Sequence, residues 1–149
     1  ISQTISHFGF SLLILSILFN SILSSEIITN IKIGERYDYN KGEIFFKKIE
    51  ERKESNFNSI IASFEIKNKN GKTIELKPEI RIYNQPEIIT SEADIRTTLL
   101  EDKFLVMNLV KGNEYFNIRY QIKPFMVWIW ISVLLLSLGG LMSLFKRKI

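Results

Sequence analysis

The sequence predicts a membrane protein of mixed α and β structure, with two transmembrane helices flanking a small antiparallel β-rich extracytoplasmic domain, a barrel or a sandwich. Three observations carry that expectation. Long apolar runs sit at the two ends of the 149 residues, every Asp and Glu lies between Glu26 and Glu114, and the middle breaks into short runs rich in Ile, Phe, Tyr and Val. A single soluble core would instead need its apolar residues spread along the chain. The expected division is residues 1–24 as the first helix, 25–122 as the β domain, 123–145 as the second helix and 146–149 as a basic tail.

The first apolar run, Phe8 to Leu23, carries Ser11, Ser16, Asn20 and Ser21 and is 16 residues long. Extended back to Ile5 it reaches 19 residues, just enough to cross a hydrocarbon core. A secretory signal has a similar apolar region and a small-residue exit such as Ser24-Ser25, but it needs a positive leader, and residues 1–10 hold no Lys or Arg. A retained helix is therefore expected. The sequence begins at Ile1 and not at Met, which is read as a fragment or a processed product.

The middle segment is expected to form strands at Ile27 to Ile33, Glu43 to Ile49, Ile60 to Lys67, Thr73 to Lys77, Phe104 to Leu109 and Tyr115 to Ile122. Asn70-Gly71 lies between two alternating runs and marks a hairpin, because both residues tolerate the positive φ of a tight turn. Gly34, Asn40-Lys41-Gly42 and Lys111-Gly112-Asn113 mark further turns. Lys47 to Glu54, with seven charges of both signs, is expected as a solvated strand end and turn. Asn84 to Thr90, around Pro86, is expected to be irregular. Thr90 to Leu100 is expected to be briefly helical, with Ser91 as N-cap and Asp94 at N3.

From Pro124 to Phe145 no side chain is charged over 22 residues, and a helix of that length spans roughly 33 Å, about the thickness of a hydrocarbon core. Lys123, Trp128 and Trp130 at its start are the usual occupants of a membrane interface. Gly139-Gly140, deeper in the run, permits close approach of a neighbouring helix and is expected to meet one outside this chain.

Residues 26–122 hold 16 acidic and 16 basic side chains, so the net charge of +4 is the sum of Lys123, Lys146, Arg147 and Lys148. The basic pI of about 9.3 thus reflects membrane flanks and gives no footprint for nucleic acid. Three of those charges follow the second helix, and positive residues favour the cytoplasmic side. Both termini are expected there, with the β domain on the other side. No cysteine is present, so no disulfide staples the outer domain.

No catalytic constellation is legible. The outer segment has no His, no Cys, no Gly-rich phosphate loop and no serine in a nucleophile elbow, and its carboxylates are interleaved with Lys and Arg. The single histidine, His7, stands at the entry of the first helix in Ser6-His7-Phe8-Gly9, with Ser11 one turn later. An ionisable side chain at membrane depth usually faces a bundle interior and marks a pathway or a cofactor, and an imidazole nitrogen is a strong iron ligand. The alternative is an interfacial histidine bonded to a backbone carbonyl or to headgroups.

Lys123-Pro124-Phe125 followed by Trp128-Ile129-Trp130 and Gly139-Gly140, and preceded by Arg119-Tyr120, resembles the C-terminal end of the CcmF family, the large membrane subunit of the cytochrome c haem lyase of maturation system I. Upstream, Pro78-Glu79 with Arg81 and Tyr83 is similar to that family's Glu-Lys-Arg-x-Tyr strand. Ser91-Glu92-Ala93-Asp94-Ile95 is similar to its Thr-Glu-Ala-Ala-Ile, Asp102-Lys103-Phe104-Leu105-Val106 to its Asp-Leu-Tyr-Val run, and Ser6-His7-Phe8-Gly9 to its Ala-His-x-Gly helix opening. The resemblance covers nearly the whole chain in the same order.

That resemblance implies that His7 is an axial ligand to the iron of a haem b whose second ligand lies outside this chain. It implies a haem lyase that attaches haem to the Cys-x-x-Cys-His motif of apocytochrome c on the outer face of a bacterial or mitochondrial inner membrane. The β domain would then lie in the periplasm or intermembrane space. The implied partners are the remaining helices of the lyase, a haem chaperone, apocytochrome c with its thiol-handling partner, and the membrane, with no nucleic acid. Lys123, Pro124, Phe125, Trp128, Trp130, Gly139 and Gly140 would be interface and anchor residues. The family's Trp-rich haem-handling loop is absent, so this chain is not expected to be catalytic by itself. Glu79-Ile80-Arg81 lacks the usual middle Lys, and Met107-Asn108-Leu109 replaces the expected Leu-Gly-Glu. Two rival readings are a membrane-anchored β-domain sensor or adaptor, and an assembly scaffold without cofactor.

Overall fold

The computed structural model describes residues 1–110, 112 and 114–146; the expected turn residues Lys111 and Asn113, and Arg147 and Lys148 of the basic tail, lie outside the described residues. Two apolar helices, α1 (Ser2–Leu23) and α2 (Met126–Lys146), flank ten strands. These are β1 (Ser25–Ile31), β2 (Arg36–Tyr39), β3 (Gly42–Lys53), β4 (Phe57–Asn68), β5 (Thr73–Leu76), β6 (Glu79–Asn84), β7 (Glu87–Glu92), β8 (Asp94–Thr97), β9 (Glu101–Leu109) and β10 (Phe116–Pro124).

The strands form an antiparallel β-sandwich. One sheet has the order β1-β10-β9-β8, and the other has the order β2-β3-β4-β6-β7 with β5 paired to β4. By contacts the chain divides into two compact units. A strand unit comprises residues 26–96 and 104–121, and a helical unit comprises α1, α2 and the segment 97–103.

Within the strand unit the core follows the two-residue period of the strands. Ala62, Phe64 and Ile66 of β4, Leu105 and Met107 of β9, and Ile118 and Tyr120 of β10 are all buried. Phe46 stacks on Phe64 with ring centroids 4.3 Å apart. The Phe46 ring also meets Phe116 of the opposite sheet edge-on at 5.5 Å, and Tyr39 meets Tyr120 at 5.9 Å. The Phe46–Phe116 and Tyr39–Tyr120 contacts join the two sheets, each adding about 0.5–1.5 kcal/mol beyond the burial of the rings.

The Asn70-Gly71 hairpin forms between β4 and β5, where Lys67 pairs with Thr73. Only Gly71 takes a positive φ, 75°, and the Asn68 N–H closes the loop on the Lys72 carbonyl at 2.9 Å. The charge run Lys47 to Glu54 is the exposed end of β3, and the ladder is bulged between Phe46 and Lys48.

Two expectations are corrected. Thr90 to Leu100 is not helical: Thr90 to Glu92 belong to β7 and Asp94 to Thr97 form β8. The cap-like residues work across strands instead. The Ser91 hydroxyl donates to Asn108 Oδ1 at 2.6 Å, and the Asp94 carboxylate accepts the Lys77 N–H at 2.6 Å. Such short polar side chains serve a helix start or a strand end equally well, and Ile88-Ile89-Thr90, β-branched throughout, favours the strand. Nor is Asn84 to Thr90 irregular. β6 and β7 pair from Glu79↔Glu92 to Asn84↔Glu87, joined by Gln85-Pro86 with a cis peptide bond.

Phe64→Ala removes a fully buried ring from the β4 face that stacks on Phe46. It is expected to cost about 3–5 kcal/mol, read as a lowered unfolding midpoint of the detergent-solubilised protein, whereas Phe45→Ala on the opposite face of β3 costs much less. Equal losses would contradict the assigned inward face.

Candidate functional site

The two apolar helices lie antiparallel, and small residues let them approach. A Cβ on Gly9 would lie 3.0 Å from Leu136 N and 3.2 Å from the Ser132 carbonyl. A Cβ on Gly139 would collide with Ser6 Oγ and lie 2.8 Å from Ser6 N. The expectation that Gly139 meets a helix outside the chain is therefore corrected, because its close neighbour is α1. Gly140 faces open space. Buried Ser16 and Ser132 return their hydroxyls to the carbonyls of Leu12 and Trp128, at 2.7 and 2.6 Å, so no polar hydrogen is stranded in the contact.

At the other end of the pair, β10 turns into α2 with no linker. Phe125 makes the corner with φ 61°, the single positive φ of a non-glycine residue among the described residues. That conformation costs of order 1–3 kcal/mol unless the surroundings impose it. Here they do. The Phe125 N–H donates to the Leu100 carbonyl at 2.8 Å, and its own carbonyl accepts the Trp128 and Ile129 N–H groups at 3.1 and 3.3 Å. Its ring lies 5.3 Å from that of Phe19. Asn20 Nδ2 donates to the Pro124 carbonyl at 2.6 Å, and Trp128 Nε1 donates to the Leu99 carbonyl at 2.9 Å. Lys123-Pro124-Phe125 is thus a strand-to-helix corner clamped by α1 and by the loop before β9. Trp130, two residues on from Trp128, is 65% exposed.

His7 is elsewhere. Because Ser6 meets Gly139, the imidazole lies about two-thirds of the way along α2 from the corner, roughly 20 Å from Asn20 at 1.5 Å per residue. Ser2, Ser6, Gly9, Ser16 and Asn20 mark the face of α1 turned to α2, and His7 is exposed beside it. The Ser11 hydroxyl donates to the His7 carbonyl at 2.9 Å, so it leaves the ring alone. Among the described residues no group hydrogen-bonds to the imidazole, including any backbone carbonyl.

The donor set that would face a haem iron is a single imidazole, that of His7, exposed on α1. No cluster of three or more His, Asp or Glu side chains is placed to hold a metal ion among the described residues. The sequence-derived residues fall into two groups, with His7 and Gly139 at one level and Lys123 to Trp128 at the corner.

Four residues have roles that the sequence does not announce. Asn20 looked like a blemish in an apolar run. Leu99 and Leu100 were assigned to a helix that does not form. Asp102, at 8% exposure, has Oδ1 without a partner. Burial pushes its carboxyl above the usual range, and the nearby Thr97 hydroxyl opposes this in part. On β6, Arg81 grips Glu79 through Nε and a terminal nitrogen at 3.0 and 3.1 Å, which holds the Glu79 carboxyl below its usual range. That pair accounts for the Glu-x-Arg spacing as a strand-surface bridge.

The raised Asp102 pKa means that the folded chain binds this proton more tightly than the unfolded chain. The associated stability is fully present below the ordinary carboxylate range and is lost as pH rises through the folded pKa. Asp102→Asn is therefore expected to raise the unfolding midpoint at neutral pH, with the gain closing as pH falls to the carboxylate range; a gain independent of pH would contradict the assignment.

The family described as the CcmF C-terminal beta-sandwich matches residues 22–124. The chain is 28% identical over 145 residues to the cytochrome c-type biogenesis protein CcmF of Pseudomonas fluorescens, covering 97% of this chain and 22% of that protein. It is 27% identical to the protein of that name in Escherichia coli K12, covering 96% and 22%. It is 31% identical over 123 residues to the cytochrome c-type biogenesis protein ccl1 of Rhodobacter capsulatus, covering 83% and 19%. A solved structure of the cytochrome c haem lyase CcmF shares the fold with a TM-score of 0.69 at 19% identity, over 94% of this chain and 23% of that one. The chain thus spans about a fifth of the length of these relatives. With a match over residues 22–124, from the end of α1 to the Pro124 corner, the chain belongs to the CcmF family and carries its C-terminal β-sandwich.

Proposed function

We propose that this chain is the helix-and-sandwich part of a cytochrome c haem lyase, and that His7 supplies one axial ligand to a b-type haem whose second ligand lies on a helix outside the chain. The observation that carries the reading is the allocation of faces on α1. Ser2, Ser6, Gly9, Ser16 and Asn20 are turned to α2, while the one imidazole is left exposed beside that seam with no partner among the described residues. A ring at membrane depth without a partner is costly, and coordination by iron removes that cost. Bound haem would supply reversible one-electron chemistry at its iron. Ser11 anchors the backbone at His7, and Gly9 and Gly139 set the height of the ring against α2.

Both helices are long and apolar enough to cross a membrane. In the proposed arrangement they cross the inner membrane, with Lys146, Arg147 and Lys148 on the cytoplasmic or matrix side and the sandwich on the periplasmic or intermembrane side. There the sandwich would meet apocytochrome c, whose Cys-x-x-Cys-His thiols receive the haem delivered by a haem chaperone. The relatives' names, which concern cytochrome c-type biogenesis, support that assignment.

In the intact assembly, His7→Ala is expected to abolish most of the b-type band in a reduced-minus-oxidised spectrum, with added imidazole restoring part of it. A full band in the variant would overturn the ligand assignment, and a wild-type assembly with no such band would favour a cofactor-free scaffold. Labels on the two termini are expected to be reached from the same side of the membrane; opposite sides would overturn the two-crossing topology.

A further inference from the structure

The turn between β8 and β9 ends in two bare leucines. Leu99 is 68% exposed and Leu100 66%. The backbone beneath them is bonded in part, at Thr98, at Glu101 and at the two leucine carbonyls, while the Leu99 and Leu100 amides have no partner among the described residues. Thr98 N donates to the Glu101 carbonyl at 3.0 Å, the Thr98 hydroxyl donates to the same carbonyl at 2.7 Å, and the Glu101 N–H donates back to that hydroxyl at 3.1 Å. The carbonyls of both leucines are taken by the start of α2, Leu99 by the Trp128 indole and Leu100 by the Phe125 amide. Glu101, the acidic side chain at the edge of the turn, is paired with Lys103 Nζ at 3.1 Å.

Two unpaired amides keep the backbone of the turn at a hydrated boundary, so that only the leucine side chains can reach an apolar phase. Its level is set by the same bonds. Phe125 and Trp128 stand at the first turn of α2, where the uncharged stretch begins, and Trp is a usual occupant of the bilayer boundary. The leucines are tied to that boundary by two hydrogen bonds.

We propose that the Thr98 to Glu101 turn is a lipid-dipping wedge whose Leu99 and Leu100 side chains insert among the acyl chains of the leaflet at the corner end of α2. It gives this end of the helix pair a third point of membrane attachment beside the two spans. The inference rests on the reading of α2 as a membrane span.

The test uses the intact protein in lipid vesicles, with any thiol outside this chain replaced by serine, since this chain has no cysteine of its own. Nitroxide labels are placed singly by Leu99→Cys, Leu100→Cys, Leu134→Cys in mid-α2 and Lys72→Cys in the β4–β5 turn. Collision with oxygen and with a water-soluble nickel chelate is then measured by electron paramagnetic resonance. The expected result is that labels at 99 and 100 collide with oxygen far more than with nickel, as the Leu134 label does, while the Lys72 label collides with nickel. Nickel access at both 99 and 100 would place the turn in water and overturn the wedge. Labels at 99 and 100 shielded from both reagents would show a protein neighbour over the leucines, and would also overturn it. Nickel access at 134 would overturn the membrane span itself, a failure separate from that of the wedge.

Discussion

The structure turns on one backbone corner. A strand and a helix are joined at Phe125 without a loop, so the direction of α2 is set by a single left-handed φ. A bulky residue adopts that conformation only when everything around it agrees. Five residues agree here, and they come from three places in the sequence: Phe19 and Asn20 from α1, Leu99 and Leu100 from the turn before β9, and Trp128 from α2 itself. The corner is therefore also the place where α1, α2 and the strand ends are registered to one another within the helical unit. A looser junction would leave the axial position of α1 against α2 undetermined at this end.

Registry at the corner has a consequence at depth. The antiparallel pair is pinned by Asn20 to Pro124 at one end and by Ser6 to Gly139 toward the other. Between these pins the serines of the interface bond back to their own helices, which leaves dispersion and close backbone approach to hold the contact. With sliding prevented, His7 has a fixed height and a fixed direction. In the proposed reading, where His7 is a ligand to iron, both matter, since coordination tolerates errors of only a few tenths of an ångström.

Much of the fold was legible because two different periodicities are cleanly separated along the chain. The uncharged run after Lys123 and the alternating runs around Asn70-Gly71 could hardly be assigned otherwise. Strands β6, β7 and β8 were harder. Ser91 and Asp94 have the chemistry of a helix start, and the choice between cap and cross-strand bond is settled by Asn108 and the Lys77 amide, remote in sequence. The candidate site divides in the same way. His7 was visible as the one imidazole at membrane depth, and Lys123-Pro124-Phe125 was visible as a motif. The motif's meaning was not, because a positive φ at a phenylalanine leaves no trace in composition and its stabilising partners lie some twenty-five and a hundred residues away.

A histidine with one free face on a two-helix unit also says something about assembly. The face of α1 beyond His7 carries Phe8, Ile14, Leu18 and Ile22 exposed, an apolar surface as compatible with lipid as with another helix. Packing alone would therefore give only a weak preference for a protein neighbour, because lipid tails are as apolar as leucine. A polar ring at one end of that surface changes the balance, since lipid tails cannot satisfy it. In the proposed reading the iron would, with a second ligand supplied from another helix. The haem would then be a joint as well as a redox centre, supplying the specificity of helix association that the leucines and isoleucines around it cannot.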